Sequence, residues 1–317
     1  MTPRITILGS LNMDLVSYVP RHPQPGETLT ASHFSVSPGG KGANQAVACG
    51  KLSRPSSLAG PPAAHVSMLG AVGDDAHGAA LLDSLRSYGV DTSGVAVRPR
   101  ARTGVAVIVV DEPSGQNRII LSPESNHSLR PADFARLPAP RPDLLVMQLE
   151  IPLETVVRAL EAARADGVPV LLNPAPAQPL PDAAYDGLAH LVVNETEASI
   201  LSGRPESDLD DAAGLESVAR AFLDRGVSNV IVTLGGRGVY YATRSGEKAL
   251  VPALKANVVD TTAAGDTFVG SYALAVARGA ESDFDIHAAV LAANAASAIT
   301  VSRKGAQVSI PWKDELH

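Results

Sequence analysis

Apolar and polar positions alternate in the first part of the chain as they do in strands with one solvated face. Residues 28–36 show this alternation, and residues 103–111 and 117–122 are two further strand-like runs joined by the turn residues 112–115. Because amphipathic strands of this kind need only one buried face, they predict a small sheet that is separate from the main core.

The rest of the chain alternates short apolar runs with segments of helical periodicity. Residues 144–149 form one such apolar run, and a helical pattern follows over residues 153–165. Repeated units of this kind predict an α/β fold with a mainly parallel sheet covered by helices on both faces. The other predicted strands are 5–8, 66–69, 168–172, 191–193, 230–234 and 239–242, and the other predicted helices begin at 41 and 195 or span 75–88, 211–224, 264–278 and 285–301.

Composition and charge narrow the functional classes. The 317 residues include 26 Lys and Arg against 33 Asp and Glu, a net charge of −7, which argues against a general nucleic-acid binder. The single cysteine, Cys49, forms no internal disulfide, so a reducing compartment is expected, cytoplasmic or, in a eukaryote, also nuclear. No apolar run approaches the length of a membrane-spanning segment, so no membrane partner is expected.

The most informative segment runs from Asp260 to Phe268, where small residues lead from a strand into an Ala-rich helix. Unpaired backbone N–H groups at such a helix start attract an anion, and Gly265 allows close approach of the backbone. A carboxylate at Asp266 can accept a proton from a hydroxyl that lies beside a bound phosphate. The alternative is that Asp266 only caps the helix or interacts with its dipole.

A second glycine-rich turn, residues 39–44, precedes the first predicted helix. Its sequence, Gly-Gly-Lys-Gly-Ala-Asn, lacks the spacing of a Walker phosphate loop. What remains is a tight turn in which Lys41 and Asn44 offer polar groups suited to hydroxyl binding. The alternative is a turn with a solvated lysine.

Two further polar segments follow predicted strands. Residues 194–197 match a helix N-cap with early acidic residues, although a carboxylate there could instead hold a metal-bridged phosphate through water. The glycines of residues 233–238 permit a nucleotide to lie against the backbone, although a simple β-turn explains them equally well.

Taken in order along the chain, these segments resemble the ribokinase/phosphofructokinase B family of carbohydrate kinases, which also contains adenosine kinase. The resemblance covers nearly the whole chain and rests on residues 9–14, 39–45, 147–150, 172–177, 194–197, 233–238, 260–268 and 302–307. It implies a single doubly wound α/β domain over residues 1–317, with a small β-sheet lid formed by about residues 11–36 and 97–122. It also implies a homodimer that forms through this lid.

The activity implied by the resemblance is ATP-dependent phosphorylation of D-ribose at O5. Asp266 would be the general base, and Ala264 and Gly265 would offer backbone N–H groups to the transferring phosphoryl group. The sugar hydroxyls would be held by Asn12, Asp14, Gly40, Lys41, Asn44, Glu150 and Asp266.

The resemblance also implies sites for ATP, Mg²⁺ and K⁺. The nucleotide site would be lined by Asn194, Glu197, Thr233, Gly235, Gly236, Arg237, Gly238, Gly265 and Asn294, with Glu197 organising Mg²⁺ and phosphate. A K⁺ site beside the anion-binding turn would be formed, mostly through backbone carbonyls, by Asp260, Thr262, Thr300, Arg303, Gly305 and Ser309.

Three alternatives to ribose phosphorylation remain at this point. The chain could be a kinase for another sugar or nucleoside, such as deoxyribose, fructose or adenosine. It could also be a catalytically silent sugar-binding homologue, because a fold does not determine a function. A nicotinamide dehydrogenase is disfavoured because the dinucleotide-binding fingerprint is absent.

Overall fold

In a computed structural model, which describes residues 2–279 and 284–316, the chain forms two β-sheets flanked by helices. The strands are β1 (Arg4–Leu8), β2 (Asn12–Val19), β3 (His33–Gly39), β4 (His65–Gly73), β5 (Asp91–Arg98), β6 (Gly104–Asp111), β7 (Asn117–Ser122), β8 (Leu144–Met147), β9 (Val170–Leu172), β10 (His190–Asn194), β11 (Asn229–Thr233), β12 (Val239–Thr243) and β13 (Lys248–Val251). The helices are α1 (Lys41–Leu52), α2 (Ala76–Ser87), α3 (Leu153–Ala165), α4 (Glu195–Ser202), α5 (Ala212–Asp224), α6 (Ala264–Gly279) and α7 (Ile286–Thr300). Across these described ranges, no helix combines the length and the apolar content needed to cross a membrane.

The large sheet has nine strands in the order β13-β12-β11-β10-β9-β8-β1-β4-β5. Its strands are parallel except for β12, which runs antiparallel to both of its neighbours. The chain places β4 and β5 on one side of β1 and then β8 to β13 on the other, so the strand order reverses at β1. The predicted doubly wound, mainly parallel sheet is therefore confirmed. Ligands in such folds bind at the carboxyl ends of the strands beside this reversal.

Helices cover both faces of the large sheet, and successive strand residues face opposite layers. On β8, Val146 belongs to the core cluster that contains Ala43 of α1 and Phe268 of α6. Its neighbour Leu145 belongs to the second cluster, together with Val156 of α3. Each large apolar side chain that is fully buried in these layers contributes about 1.5–3 kcal/mol. The two layers fix the helices against the sheet and thereby position the loops at its carboxyl edge.

Helices α1 and α6 approach each other closely. A Cβ atom on Gly270 would lie 2.4 Å from the Cβ atom of Ala48, so only a glycine fits at this crossing. Cys49 is buried beside it, and its Sγ donates to the Gly270 carbonyl at 3.6 Å. Burial raises the pKa of the Cys49 thiol to about 12, so the thiol stays protonated and unreactive. This crossing holds the first turns of both helices at one place.

The small sheet, called the lid below, has the strand order β3-β2-β6-β7. Its existence was predicted, but two boundaries differ. The first lid hairpin uses residues 33–39 for its second strand instead of 28–36. Residues 97 and 98, predicted to lie in the lid, end β5 of the large sheet, so the second half of the lid begins at Gly104. The sequence pattern did not predict β5 or β13, because both are edge strands with several exposed positions.

Residues 53–65, predicted as an inserted surface loop, connect α1 to β4. The backbone N–H and the hydroxyl of Ser56 donate to the carboxylate of Asp314 at 3.0 and 2.8 Å. The backbone N–H of Lys313 donates in turn to the Arg54 carbonyl. The loop therefore packs against the C-terminal segment, away from the carboxyl edge of the sheet.

Candidate active site

The predicted site residues meet where β1 and β8 end and where α1 and α6 begin. The start of α1 lies directly against the end of β1, since a Cβ atom on Gly42 would come within 2.6 Å of the Gly9 carbonyl carbon and the Ser10 nitrogen. Gly40, at φ 88°, makes the turn into α1. The glycines at 40 and 42 thus have a structural reason, namely the close contact between a helix start and a strand end.

The centre of the site is the carboxylate of Asp266, in the first turn of α6, which is 9% exposed. Its Oδ2 accepts a hydrogen bond from Nδ2 of Asn44 at 3.0 Å, and its Oδ1 accepts one from Nε2 of Gln45 at 3.0 Å. The Gln45 amide is itself held, because its Oε1 accepts from Nε2 of Gln148 at 2.6 Å. Each oxygen of Asp266 retains a further lone pair, so the carboxylate is oriented and can still accept a proton.

A second carboxylate, Glu150, follows β8 and joins the ends of three segments. Its Oε2 accepts from the Ser10 hydroxyl at 2.5 Å, from the backbone N–H of Lys41 at 3.0 Å and from Nδ2 of Asn12 at 3.3 Å. The Oδ1 of Asn12 accepts from Nδ2 of Asn126 at 2.8 Å. These contacts orient the polar side chains that the sequence placed in the sugar site.

The site gathers like charges. Burial, together with the charges of Glu150 and Asp266, raises the pKa of Asp14 to about 7. Burial lowers the pKa of the Lys41 ammonium, but the carboxylates of Asp266, Glu150 and Glu197 raise it by more, so the net shift is upward. The cluster of acidic groups therefore keeps one lysine charged and disfavours full ionisation of Asp14.

The predicted anion-binding turn precedes α6. Ala263 adopts φ +60°, a left-handed conformation that costs a non-glycine residue about 1 kcal/mol or more. The backbone N–H of Ala264 already donates to the Thr261 carbonyl at 3.2 Å. Within the described residues, the N–H groups of Gly265 and Asp266 donate to no protein acceptor. The groups available to an anion are therefore at 265 and 266, one residue later than the predicted pair.

Most of the predicted nucleotide-site residues lie at the ends of β10 and β11. Asn194 caps α4: its side chain accepts from the Glu197 N–H at 2.8 Å, and the Glu197 carboxylate accepts from the Asn194 N–H at 2.9 Å. Burial raises the pKa of Glu197, while the Asn194 N–H and Lys41 oppose the shift. The helix-cap alternative for this segment is thus realised, and the second oxygen of the Glu197 carboxylate remains available.

Residues 235–237 form a short turn between β11 and the antiparallel β12. Cβ atoms placed on Gly235 and Gly236 would meet nothing within 4 Å, so both face open space. Gly238, at φ 107°, lies so close to the Val251 carbonyl that a Cβ atom would be 2.0 Å from its oxygen. The Arg237 guanidinium forms an ion pair with Glu195 and is directed to α4, so its side chain has a structural role.

Asn294 lies on α7, and its Nδ2 donates to the Pro252 carbonyl at 3.2 Å. Exposed apolar side chains flank this contact. Leu254, two residues after Pro252, is 53% exposed, and Leu291, one helical turn before Asn294, is 46% exposed. An apolar, partly open surface next to an amide is suited to a flat heteroaromatic base.

The predicted cation residues form a compact loop pair. The Oδ1 of Asp260 accepts from the N–H and the hydroxyl of Thr262 at 2.9 and 2.6 Å, and its Oδ2 accepts from the Gly305 N–H at 2.9 Å. Thr300 and Ser309 are fully buried, and the Arg303 guanidinium binds Glu315 at 2.7 Å. The side chain of Asp260 therefore ties the anion-binding turn to the loop after α7.

Sequence reasoning did not assign several polar residues of this region to the site. They are Ser10, Gln45, Asn126, Gln148, Asn173 and Gln307. All of them except Asn126 lie inside motif segments that carry the resemblance, and that position was the available signal. Asn126 lies in no such segment, and its contact with Asn12 depends on how the chain after β7 folds back.

Comparisons with known proteins agree with this geometry. The family described as pfkB family carbohydrate kinase matches residues 2–313. A ribokinase from Schizosaccharomyces pombe is 46% identical over 316 residues, which covers 97% of this chain and 94% of the relative. A deoxyribokinase from Salmonella typhi is 39% identical, with 99% and 97% coverage. The structure of Arabidopsis thaliana ribokinase complexed with ribose and ATP superimposes with a TM-score of 0.87 at 29% identity, covering 100% of this chain and 98% of that one.

The agreement in sequence extends over nearly all of the chain and over nearly all of each relative. It coincides with the same α/β architecture and with polar side chains gathered at the carboxyl edge of the sheet. The chain belongs to the pfkB family of carbohydrate kinases.

Proposed function

We propose that this protein transfers the γ-phosphoryl group of ATP to O5 of D-ribose. The observation that carries the proposal is the oriented carboxylate of Asp266, which lies directly beside the free N–H groups at the start of α6. The relatives named ribokinase support the choice of sugar, and the Arabidopsis structure holds both ribose and ATP.

Asp266 acts as the general base. Its free lone pair accepts the proton of the O5 hydroxyl while O5 attacks the γ-phosphorus and the bond from phosphorus to the β–γ bridging oxygen breaks, which releases ADP. The N–H groups of Gly265 and Asp266, with the dipole of α6 behind them, stabilise the charge on the transferring group. Because the transition state is loose, positioning and charge stabilisation supply most of the rate.

The buried polar cluster binds the sugar. Carboxylates and amides engage neighbouring hydroxyls through two atoms, and a sugar that lacks one hydroxyl leaves a buried group unpaired. We assign this task to Asn12, Asp14, Gly40, Lys41, Asn44 and Glu150. A nucleoside would need an apolar wall for its base at this position, and the cluster offers charged and amide groups instead.

The nucleotide lies along the ends of β10 and β11. Gly235, Gly236 and Gly265 leave the backbone open to it, while Thr233 and Gly238 shape the strand end and the turn. Asn194 and Asn294 supply amides, with the apolar side chain of Leu254 next to the base. Arg237 contributes through the backbone of its turn, because its guanidinium is bound to Glu195.

Mg²⁺ fits this site as an ion that the nucleotide phosphates would bind. Among residues 2–279 and 284–316, no group of three or more His, Cys, Asp or Glu side chains is arranged to bind a metal by itself. Glu197, which lies within electrostatic reach of Lys41 and Asp266, would hold the hydrated ion. When bound, Mg²⁺ neutralises charge on the phosphates.

The loop pair around Asp260 fits K⁺. The carbonyl oxygens of Thr262, Arg303 and Gly305 accept no hydrogen bond from any described residue, so they are available to a cation that prefers oxygen ligands. Asp260 would hold the two loops together, and the buried Thr300 and Ser309 would support them. When bound, K⁺ supplies positive charge beside the anion-binding turn.

A homodimer through the lid is proposed from its outer face. Residues paired in register share a face, so Val36, Val107 and Ile120 lie on one face, whereas Asp14 lies on the opposite face with the sugar site. These three apolar side chains are 49%, 37% and 65% exposed. A second copy of the chain, presenting the same face, would bury them.

The dimer is tested with Ile120→Lys, which places a charge on the outer face. We expect it to shift the protein to the monomer in size-exclusion chromatography with light scattering. The matched control is Ile119→Lys, one residue earlier on the face that bears Asp14, which should stay dimeric. A monomeric wild-type protein, or an Ile120→Lys variant that remains dimeric, would contradict the proposal.

The activity is tested by measuring ADP release over a sugar panel with Mg²⁺ and K⁺ present. Ribose should give the highest kcat/KM, ahead of deoxyribose, fructose and adenosine. Because the relatives include deoxyribokinases, a preference for deoxyribose would replace ribose as the proposed substrate within the same family. Ribose binding in calorimetry without turnover would indicate a silent sugar-binding protein. Equal turnover rates in K⁺ and in a bulky organic cation would contradict the proposed potassium site.

A further inference from the structure

Gln307 connects the loop after α7 to the helices α1 and α2 at the back of the sugar site. Its side chain is 3% exposed. Its Nε2 donates to Oδ1 of Asn44 on α1 at 3.2 Å, and its Oε1 accepts from the Ser84 hydroxyl on α2 at 2.9 Å. Its backbone carbonyl accepts from the ammonium of Lys51 on α1 at 3.2 Å. None of the roles assigned above uses this residue.

The hydrogen bonds run in one direction. Ser84 donates to Gln307, Gln307 donates to Asn44, and Asn44 donates to Asp266. An ionised carboxylate only accepts, so Asp266 requires the NH₂ end of the Asn44 amide to face it. The Asn44 oxygen then points to the loop after α7, where a donor must meet it, because an unpaired buried carbonyl costs about 1–3 kcal/mol.

We propose that Gln307 is a positioning residue that fixes the amide of Asn44 with its NH₂ group toward Asp266 and the sugar. This inference rests on the proposed function, since it assumes that Asn44 binds a sugar hydroxyl. With Gln307 in place, one N–H of Asn44 orients the base, and the second N–H is free to donate to the substrate. Without it, the amide loses the partner that holds its oxygen away from the site.

The residue type follows from the geometry. The position needs a donor toward Asn44 and an acceptor toward Ser84, which a glutamine amide supplies at once. Aligned hydrogen bonds in a buried setting polarise one another, so the hydrogen bonds in this series are stronger together than each would be alone. The Lys51 ammonium donates to the Gln307 carbonyl and so anchors the backbone at this position. The side chain of Gln307 is then free to bond both Asn44 and Ser84.

The test compares Gln307→Met with Gln307→Glu. The methionine variant matches the length of glutamine but donates nothing, and we expect it to weaken sugar binding about tenfold, which corresponds to about 1.4 kcal/mol. Its KM for the sugar should rise in parallel, while its KM for ATP stays within about twofold of the wild-type value. A purely structural role would change both substrates together.

The Gln307→Glu variant supplies a pH-dependent rescue. Its introduced carboxyl has both a donor and an acceptor when protonated, whereas the ionised form only accepts and would face the Asn44 oxygen. The charged groups that the network brings near it are Lys51, at the loop backbone, and Asp266, beyond Asn44. We therefore expect its sugar affinity, divided by the wild-type affinity at the same pH, to recover as the pH falls. The methionine variant should show a ratio that does not change with pH.

Sugar binding is measured by calorimetry, with thermal unfolding of each variant as the check on folding. Gln116→Glu, on the exposed lid hairpin, is the matched control for the added charge and should bind like the wild type. If the methionine variant fails to fold, the Gln307→Glu variant at low pH is the isosteric folded form that decides. Both variants binding within about twofold of wild type at every pH would overturn the inference.

Failure of the Gln307 proposal can be distinguished from failure of the proposed function. The sugar used is whichever member of the panel the wild-type protein binds and phosphorylates best. If the wild-type protein prefers another sugar, ribose is refuted as the substrate. The sugar affinity of each Gln307 variant, divided by that of the wild type, still tests the role of Gln307.

Discussion

The proposed sugar end and the proposed nucleotide end of the site are built differently. At the sugar end, side chains that are almost fully buried hold one another: Asn44 and Gln45 donate to Asp266, and Gln307 donates to Asn44. At the nucleotide end, Gly235, Gly236 and Gly265 present bare backbone to open space. One end is a network of paired side chains, and the other is an open stretch of main chain.

This difference explains how each end would recognise its substrate. A buried donor or acceptor that loses its partner is costly, so the sugar end discriminates between hydroxyl patterns. Backbone N–H groups and a helix dipole attract a phosphate whatever molecule carries it. Substitutions at the sugar end should therefore alter chemistry and affinity for the sugar, whereas added bulk at the nucleotide end should obstruct ATP and leave the fold intact.

The largest expected effect is that of Asp266→Asn. The amide cannot accept the O5 proton as a carboxylate does, so we expect kcat to fall about 10³-fold while ATP binding persists. The matched control is Asp285→Asn, which keeps an N-cap at α7 and lies at the opposite end of that helix from Ser297, whose hydroxyl donates to the Ala264 carbonyl; it should leave kcat unchanged. More than about a tenth of wild-type kcat in Asp266→Asn, a barrier change below about 1.4 kcal/mol, would remove Asp266 from the role of general base.

A pair of glycine substitutions tests the contrast directly. At Gly265 a Cβ atom meets nothing, so Gly265→Ala should have a free energy of unfolding within about 0.5 kcal/mol of wild type and raise the KM for ATP about tenfold. At Gly42 a Cβ atom would overlap the Gly9 backbone, so Gly42→Ala should lose about 1–3 kcal/mol of stability. Chemical denaturation and ATP titration measure both effects. An unchanged KM for ATP in Gly265→Ala would show that the ATP phosphates do not lie against Gly265.

The smallest expected effect concerns Asp14 and pH. Burial and the charges of Glu150 and Asp266 raise the pKa of Asp14 to about 7, so the folded state binds this proton more tightly than the unfolded chain does. Stability from this group is therefore lost as the pH rises from about 4 to about 7. Asp14→Asn should stabilise the ligand-free protein by about 1 kcal/mol or more at pH 8 and by almost nothing below pH 4.

Denaturation curves of wild type and Asp14→Asn across this pH range provide the measurement. Ser37→Ala is a suitable control, because Ser37 pairs with Asp14 across the lid strands but carries no charge. The same difference in stability at every pH would show that Asp14 contributes through packing alone. The gain in stability should come with weaker sugar binding, since the carboxylate is assigned to a hydroxyl.

Much of the fold was predictable because the local pattern of apolar and polar residues indicates each strand and helix. Alternating apolar runs predicted the parallel sheet, and the helix over residues 153–165 was found at the same bounds. The edge strands β5 and β13 were missed, because edge positions face solvent and lack a continuous apolar run. The lid hairpin was shifted by several residues, since residues 28–31 show the strand pattern but pair with no lid strand, and Ser32 donates its backbone N–H to the Tyr18 carbonyl but lies outside the paired register.

By itself, the sequence determined the class of fold, the two glycine-rich turns and the carboxylate at Asp266, because turn chemistry and helix starts depend on neighbouring residues. Only the tertiary structure decided which side chains pair. Gln307 is 263 residues from Asn44, and Gln45 is 221 residues from Asp266. These pairs form because Gly270 lets α6 lie against α1 and because the loop after α7 returns to α1. Hydrogen-bond partners across such separations follow from how the elements pack, and no local pattern contains that information.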